Sequence, residues 1–155
     1  MPPSNAPAYE DDFVAWLEDQ AQHARRGEID ALDLENIAEE LEGMARSDRR
    51  EIRNRLAVLL AHLLKCWIRP EKRSASWIEA IAEQRDGIIH VIEDSPSLQS
   101  FSAQILDRAY PEARRKAALQ MRLRETAFPE TCPFTIDEVL DIGWLPAHHV
   151  ENLSG

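Results

Sequence analysis

The sequence predicts an all-α fold, an up-and-down helical bundle with one long second helix and a short C-terminal helix. Three observations predict it. Apolar residues recur at steps of three and four through every long segment, no segment alternates apolar with polar residues, and capping residues stand ahead of the periodic runs. A chain of 155 residues is enough for one domain with its own core, expected over residues 9–146 between a flexible arm at 1–8 and a flexible tail at 147–155.

The first helix is predicted from Glu10 to Arg26. Phe13, Leu17, Ala21 and Ala24 form its apolar stripe, Glu10, Asp11 and Asp12 suit the positive end of its dipole, and Gly27 ends it. Asp33 then caps a second helix in which Leu34, Ile37, Leu41, Met44, Ile52, Leu56, Leu59, Leu63 and Trp67 share one stripe, up to Pro70. Only Asp48 interrupts that stripe. Asp48 with Glu51 also forms a capping box that could start a separate helix, but one helix bent near Gly43 to Asp48 is the expected form. Unbroken, it is about 50 Å long at ~1.5 Å per residue, so it must project, bend or be covered by a second subunit.

The third helix is expected to start at Ser76, with Glu79 completing a capping box, and to turn Ile78, Ile81, Ile88 and Ile92 inward. Arg85 lies on that same stripe, so it is predicted to be buried, with Asp107 as its carboxylate partner. Ser95 and Pro96 then start a fourth helix that folds back antiparallel, with Leu98, Phe101, Ile105, Ala109, Ala113, Ala117 and Met121 in line. Pro111 is expected to kink or restart it. Pro129 and Pro133 hold an extended loop, and Thr135 with Glu138 caps a short last helix ended by Gly143 and Pro146.

The segments Tyr9 to Leu17, Leu32 to Glu42 and His62 to Trp67 with Pro70 form an ordered set. Arg73, Ser76-Trp77, Gln84-Arg85, Ser95 to Leu98, Phe128-Pro129 and Cys132-Pro133 continue it. On this set the chain resembles a bacterial family of unknown function, numbered 29 among such domains, over about residues 9–146. The resemblance implies a compact helical protein without assigned activity, and it supplies no catalytic residue. Pro111 departs from the unbroken helix that the resemblance implies at Tyr110-Pro111.

Charge restricts the partners. With 18 basic and 28 acidic residues the chain carries a formal charge of -10, which opposes binding to generic DNA because a polyanion needs a basic face. Seven acidic residues and no basic one lie between Glu28 and Glu42, whereas Arg46, Arg49, Arg50, Arg53 and Arg55 follow. Acid early and base late in a helix complement its dipole. Met1 to Ala8 is polar and proline-bearing, unlike a signal peptide, and no span is apolar enough for a membrane, so a cytoplasmic location is expected. Cys66 and Cys132 match no zinc pattern and read as thiols.

No motif specifies a reaction. There is no phosphate-binding glycine loop, nucleophile elbow or cysteine cluster, so no cofactor and no metal are expected. Glu39, Glu40 and Glu42 could supply paired carboxylates, but His62 lies about 33 Å beyond Glu40 on a continuous helix. His148 and His149 lack the supporting shell of a metal site, and His23 and His90 stand alone on their helices. The hairpin between the second and third helices is richer. It gathers His62, Lys65, Trp67, Arg69, Lys72, Arg73, Trp77 and Arg85. His62, Trp67, Arg73, Trp77 and Arg85 are the candidate ligand-binding residues, since rings beside arginines can stack on bases or clamp phosphates. Equally, Trp67 and Trp77 can close the core while the cations meet the last carbonyls of the second helix.

The expected function is a non-enzymatic interaction or scaffold module that pairs with a protein partner or with itself as a homodimer. The alternative is a small hydrolase or a nucleic-acid- or anion-binding protein that uses the hairpin.

Overall fold

The computed structural model describes residues 6–147. Among them the chain forms five α-helices: α1 (Phe13–Arg25), α2 (Leu34–Ile68), α3 (Ala75–Asp94), α4 (Leu98–Met121) and α5 (Ile136–Leu140). No strand occurs among the described residues, as the all-α reading requires. His148 and His149 lie outside them. The chain divides into two compact units, Met1–Ser47 and Asp48–Gly155. Helix α2 is unbroken through Gly43 to Asp48, so Asp48 starts no separate helix.

In the first unit, Asp12 caps α1 by accepting the Ala15 N–H at 3.0 Å, two residues beyond the predicted start. Asp33 caps α2 as expected, for its Oδ1 accepts the Asn36 N–H at 3.3 Å. It also anchors α1. The Trp16 ring N–H donates to Asp33 Oδ2 at 3.3 Å, and the Asp33 N–H donates to Gln20 Oε1 at 2.7 Å. Tyr9 adds a hydroxyl donated to Glu40 and an edge-on ring contact to Trp16 at 4.8 Å. These anchors fix which face of α1 is covered. Trp16 and Gln20 are buried, while Phe13, Leu17, Ala21 and Ala24 are exposed. The predicted apolar stripe therefore borders the covered face and stays partly open to solvent, with Phe13 packed on Trp16 and Tyr9. Directional partners for an indole N–H and a buried amide outweigh the burial of a short stripe, because an unpaired buried polar group costs more than an exposed Leu.

The second unit holds the main core. Ile52, Leu56, Leu59, Leu60, Leu63 and Leu64 of α2 are completely buried, and Ile81 and Ile88 of α3 meet the same cluster. Each such aliphatic side chain contributes about 1.5 to 3 kcal/mol on burial. Ile78, predicted to turn inward, stays partly exposed. Helix α4 adds Leu98, Ile105, Ala109, Ala113 and Ala117, all on the predicted line. Pro111 lies within α4 and does not end it; its ring is on the exposed side, with Ala109 and Ala113 packed inward.

Two predicted caps shift. Ser74, not Ser76, caps α3 by accepting the Trp77 N–H at 3.3 Å. Helix α4 begins at Leu98 rather than at Pro96, because Ser95 and Pro96 form a turn whose carbonyls accept the Leu98 and Gln99 N–H groups. The capping box of Thr135 and Glu138 on α5 is present in full. At Gly87 of α3 a Cβ would lie 2.5 Å from the Arg55 guanidinium of α2. Glycine is what lets Arg55 cross there and donate to Glu51 at 3.1 Å and Gln84 at 3.2 Å.

Candidate functional site

Lys65 is the least expected group in the hairpin region. The α2 segment from Leu56 to Cys66 is buried on nearly all sides, and Lys65 within it is buried except where its end reaches the exposed Gln120. Its Nζ donates to Gln120 Oε1 of α4 at 2.8 Å and sits 4.8 Å from the centre of the Trp77 ring. No carboxylate pairs with it among the described residues. Burial pushes its pKa below the ordinary lysine value, since desolvation penalises the ammonium. Cys66 beside it is also buried, and the same desolvation raises its thiol above the ordinary value despite Arg73 and Lys65 nearby.

The arginines close the C-terminal segment. Arg85 on α3 is 3% exposed. Its Nε donates to the Val139 carbonyl at 2.8 Å and its terminal nitrogen to the Trp144 carbonyl at 2.7 Å. The first of these satisfies an otherwise unpaired carbonyl near the end of α5. The predicted partner Asp107 is therefore replaced by main-chain oxygens, and the carboxylate that supports the Arg85 charge is Asp141. Arg73 donates to the Pro146 carbonyl at 2.7 Å and to the Cys66 carbonyl at 3.4 Å. Both guanidinium groups thus tie down the chain after α5.

The five candidate residues are not assembled around one cavity. Trp67 packs edge-on against Phe134 at 6.5 Å, and Trp77 lies under Lys65. His62 turns back on its own helix, with Nδ1 at 2.9 Å from the Val58 carbonyl, a contact that requires the proton on Nδ1. Burial lowers its pKa, and Lys65 adds to the effect. Arg85 borders a partly open space. That is an apolar cavity of about 230 Å³, with Ile78, Ile81, Ala82, Ile142 and Leu145 among its walls. Sequence reasoning did not find Gln120, Val139 or Trp144 as partners. Lys65 was visible within an apolar run, but an acceptor amide or a main-chain carbonyl leaves no periodic signal.

A different surface stands open in the first unit. Along α2, Leu34, Leu41 and Met44 are 60%, 61% and 66% exposed, whereas Ile52 on the same predicted stripe is 0% exposed. Ala38 between them and Ala45 just beyond Met44 are exposed, and Glu35, Glu39 and Glu42 run beside them. On α1, Phe13, Val14 and Leu17 are also exposed. Nearby, a cavity of about 710 Å³ is lined by Tyr9, Glu10, Asp11, Trp16, Asp33 and Glu35 among others. Among the described residues no group of His, Cys, Asp and Glu could hold a metal ion, and no helix is long and apolar enough to cross a membrane.

The profile of the family described as "Domain of unknown function DUF29" matches residues 8–145, most of the chain. The chain belongs to the DUF29 family. Membership agrees with the resemblance read from the ordered segments, and the family's function is unknown, so DUF29 assigns no role to any residue above. No curated protein and no solved structure matches the chain. What distinguishes this DUF29 chain must come from its own surfaces.

Proposed function

We propose that this DUF29 protein is a non-enzymatic interaction module, with its docking face on the first unit. The carrying observation is the change along one helical stripe: Leu34, Leu41 and Met44 are each at least 60% exposed, whereas Ile52, Leu56, Leu59 and Leu63 are wholly buried. A folded chain gains nothing from holding large apolar side chains in water at heptad spacing, and several exposed on one helical face mark an interaction site.

The alternative reading, anion or nucleic-acid binding at the hairpin, has less support. Arg73 and Arg85 already donate to carbonyls of their own chain, and Lys65 is occupied by Gln120 and Trp77. A ligand there must first displace the C-terminal segment.

The test is affinity capture from lysate of the native organism with the natural chain and with Leu34→Glu/Leu41→Glu. We expect a specific partner to be retained by the natural chain and lost from the variant, with equal thermal stability. A partner set unchanged by the variant would contradict the proposal.

A further inference from the structure

We infer that the partner is a basic amphipathic helix that pairs with the exposed face of α2 between Leu34 and Ala45. This rests on the interaction reading and adds the chemistry of the partner.

The face has the spacing of a two-stranded helical seam. Leu34, Ala38, Leu41 and Ala45 follow steps of four, three and four, the pattern of alternating core positions in a heptad. All are exposed. Leucine at one core position and alanine at the other lets a second helix approach closely. Glu35 and Glu42 then fall at the flanking position beside each leucine, where a partner's charges are read. Glu39 stands on the same side. Arg46 offsets some of this charge, at 3.6 Å from Glu39 and 3.9 Å from Glu42, but no other basic side chain pairs with Glu35, Glu39 or Glu42 among the described residues.

Charge selects the occupant. Residues 1–47 hold 12 acidic and 3 basic residues, a net charge of -9, whereas residues 48–155 hold 16 and 15, a net charge of -1. Nearly all of the chain's negative charge therefore belongs to the unit that carries the open face. A second copy offering the same face would set -9 against -9 and place Glu35 and Glu42 against their own kind. Nucleic acid and an anionic membrane are opposed for the same reason. A polypeptide helix with leucines in its seam and lysine or arginine beside them meets both features.

Asp48, in line with the stripe, ends the apolar seam after Ala45. A seam that short buries less than a standard interface, so binding is expected to be reversible and salt-sensitive.

The experiment titrates the full chain with two designed helical peptides, identical leucine seams flanked by lysine in one and by glutamate in the other. We expect the lysine peptide to bind at least about tenfold more tightly, to weaken about tenfold in Leu41→Glu, and to weaken at high salt. In Glu35→Lys/Glu42→Lys the preference should reverse toward the glutamate peptide, with the helical content of both variants unchanged. Equal binding of both peptides overturns the inference. So does self-association of the natural chain that Leu41→Glu abolishes, which would make a second copy the occupant. If neither peptide binds while capture from lysate still depends on Leu34 and Leu41, the basic helix is wrong and the interaction reading stands; loss of both rejects both.

Discussion

A guanidinium held at 3% exposure needs acceptors, and Arg85 finds two in the carbonyls of Val139 and Trp144. Removing it strands both oxygens and frees the end of α5. Arg85→Met should lower the unfolding free energy by about 3 to 5 kcal/mol in chemical denaturation. Unchanged stability would show that the C-terminal segment is held by packing alone. The burial of Arg85 was legible from its place on the stripe of Ile81 and Ile88. Its partners were not, since a carbonyl acceptor belongs to every residue and marks none. Cys132 gives a second prediction at this scale. Burial pushes its thiol from 9.0 up to about 11, and Tyr110, whose hydroxyl donates to the Pro129 carbonyl, from 10.0 up to about 12. Each folded-state value lies above the unfolded one, so the folded chain holds more protons between the two. That contribution is complete below pH 9 and is lost as pH rises toward 11 for the thiol and 12 for the phenol. Cys132→Ala should flatten the stability profile between pH 9 and 11, measured by denaturation midpoint against pH; an unaltered slope would contradict the assignment.

Helix α2 carries two kinds of leucine on one stripe. Leu59→Ala should cost about 2 to 5 kcal/mol, because Leu59 is fully buried and its loss opens a cavity in a filled core. Leu41→Ala should change stability by no more than about 0.5 kcal/mol, because the side chain is 61% exposed. Denaturant titration of both variants checks the contrast, and comparable losses would place Leu41 in the core after all. Helical periodicity identified every main helix, yet it could not say which part of a stripe finds a cover. On α1 it selected Phe13 and Leu17, whereas the hydrogen bonds that join Trp16 and Gln20 to Asp33 turned the neighbouring stripe inward. The caps show the same limit. Ser74 and Ser76 are equally good capping residues by type, and their hydroxyls lie 2.9 Å apart, so only the backbone path decides between them.

Over the whole molecule, most of the negative charge and a run of exposed apolar side chains on α2 coincide on Met1–Ser47, while Asp48–Gly155 is nearly neutral and its exposed large apolar side chains among the described residues, Ile78, Leu119 and Ile142, stand apart in sequence. A chain of this charge should show no submicromolar binding to generic duplex DNA at physiological salt; a salt-sensitive shift in a filter or polarisation assay would contradict that. The charge segregation was plain in the sequence, where helix dipoles offered a sufficient explanation. Its link to an open docking face required the exposure of Leu34, Leu41 and Met44. The most direct test of that face is site-specific photo-crosslinking in living cells, with the reactive residue moved along α2. The account predicts discrete adducts from positions 34, 38, 41 and 45 and none from 36 and 40, which face Asp33 and Tyr9. Adducts from both sets alike, or from neither, would contradict it.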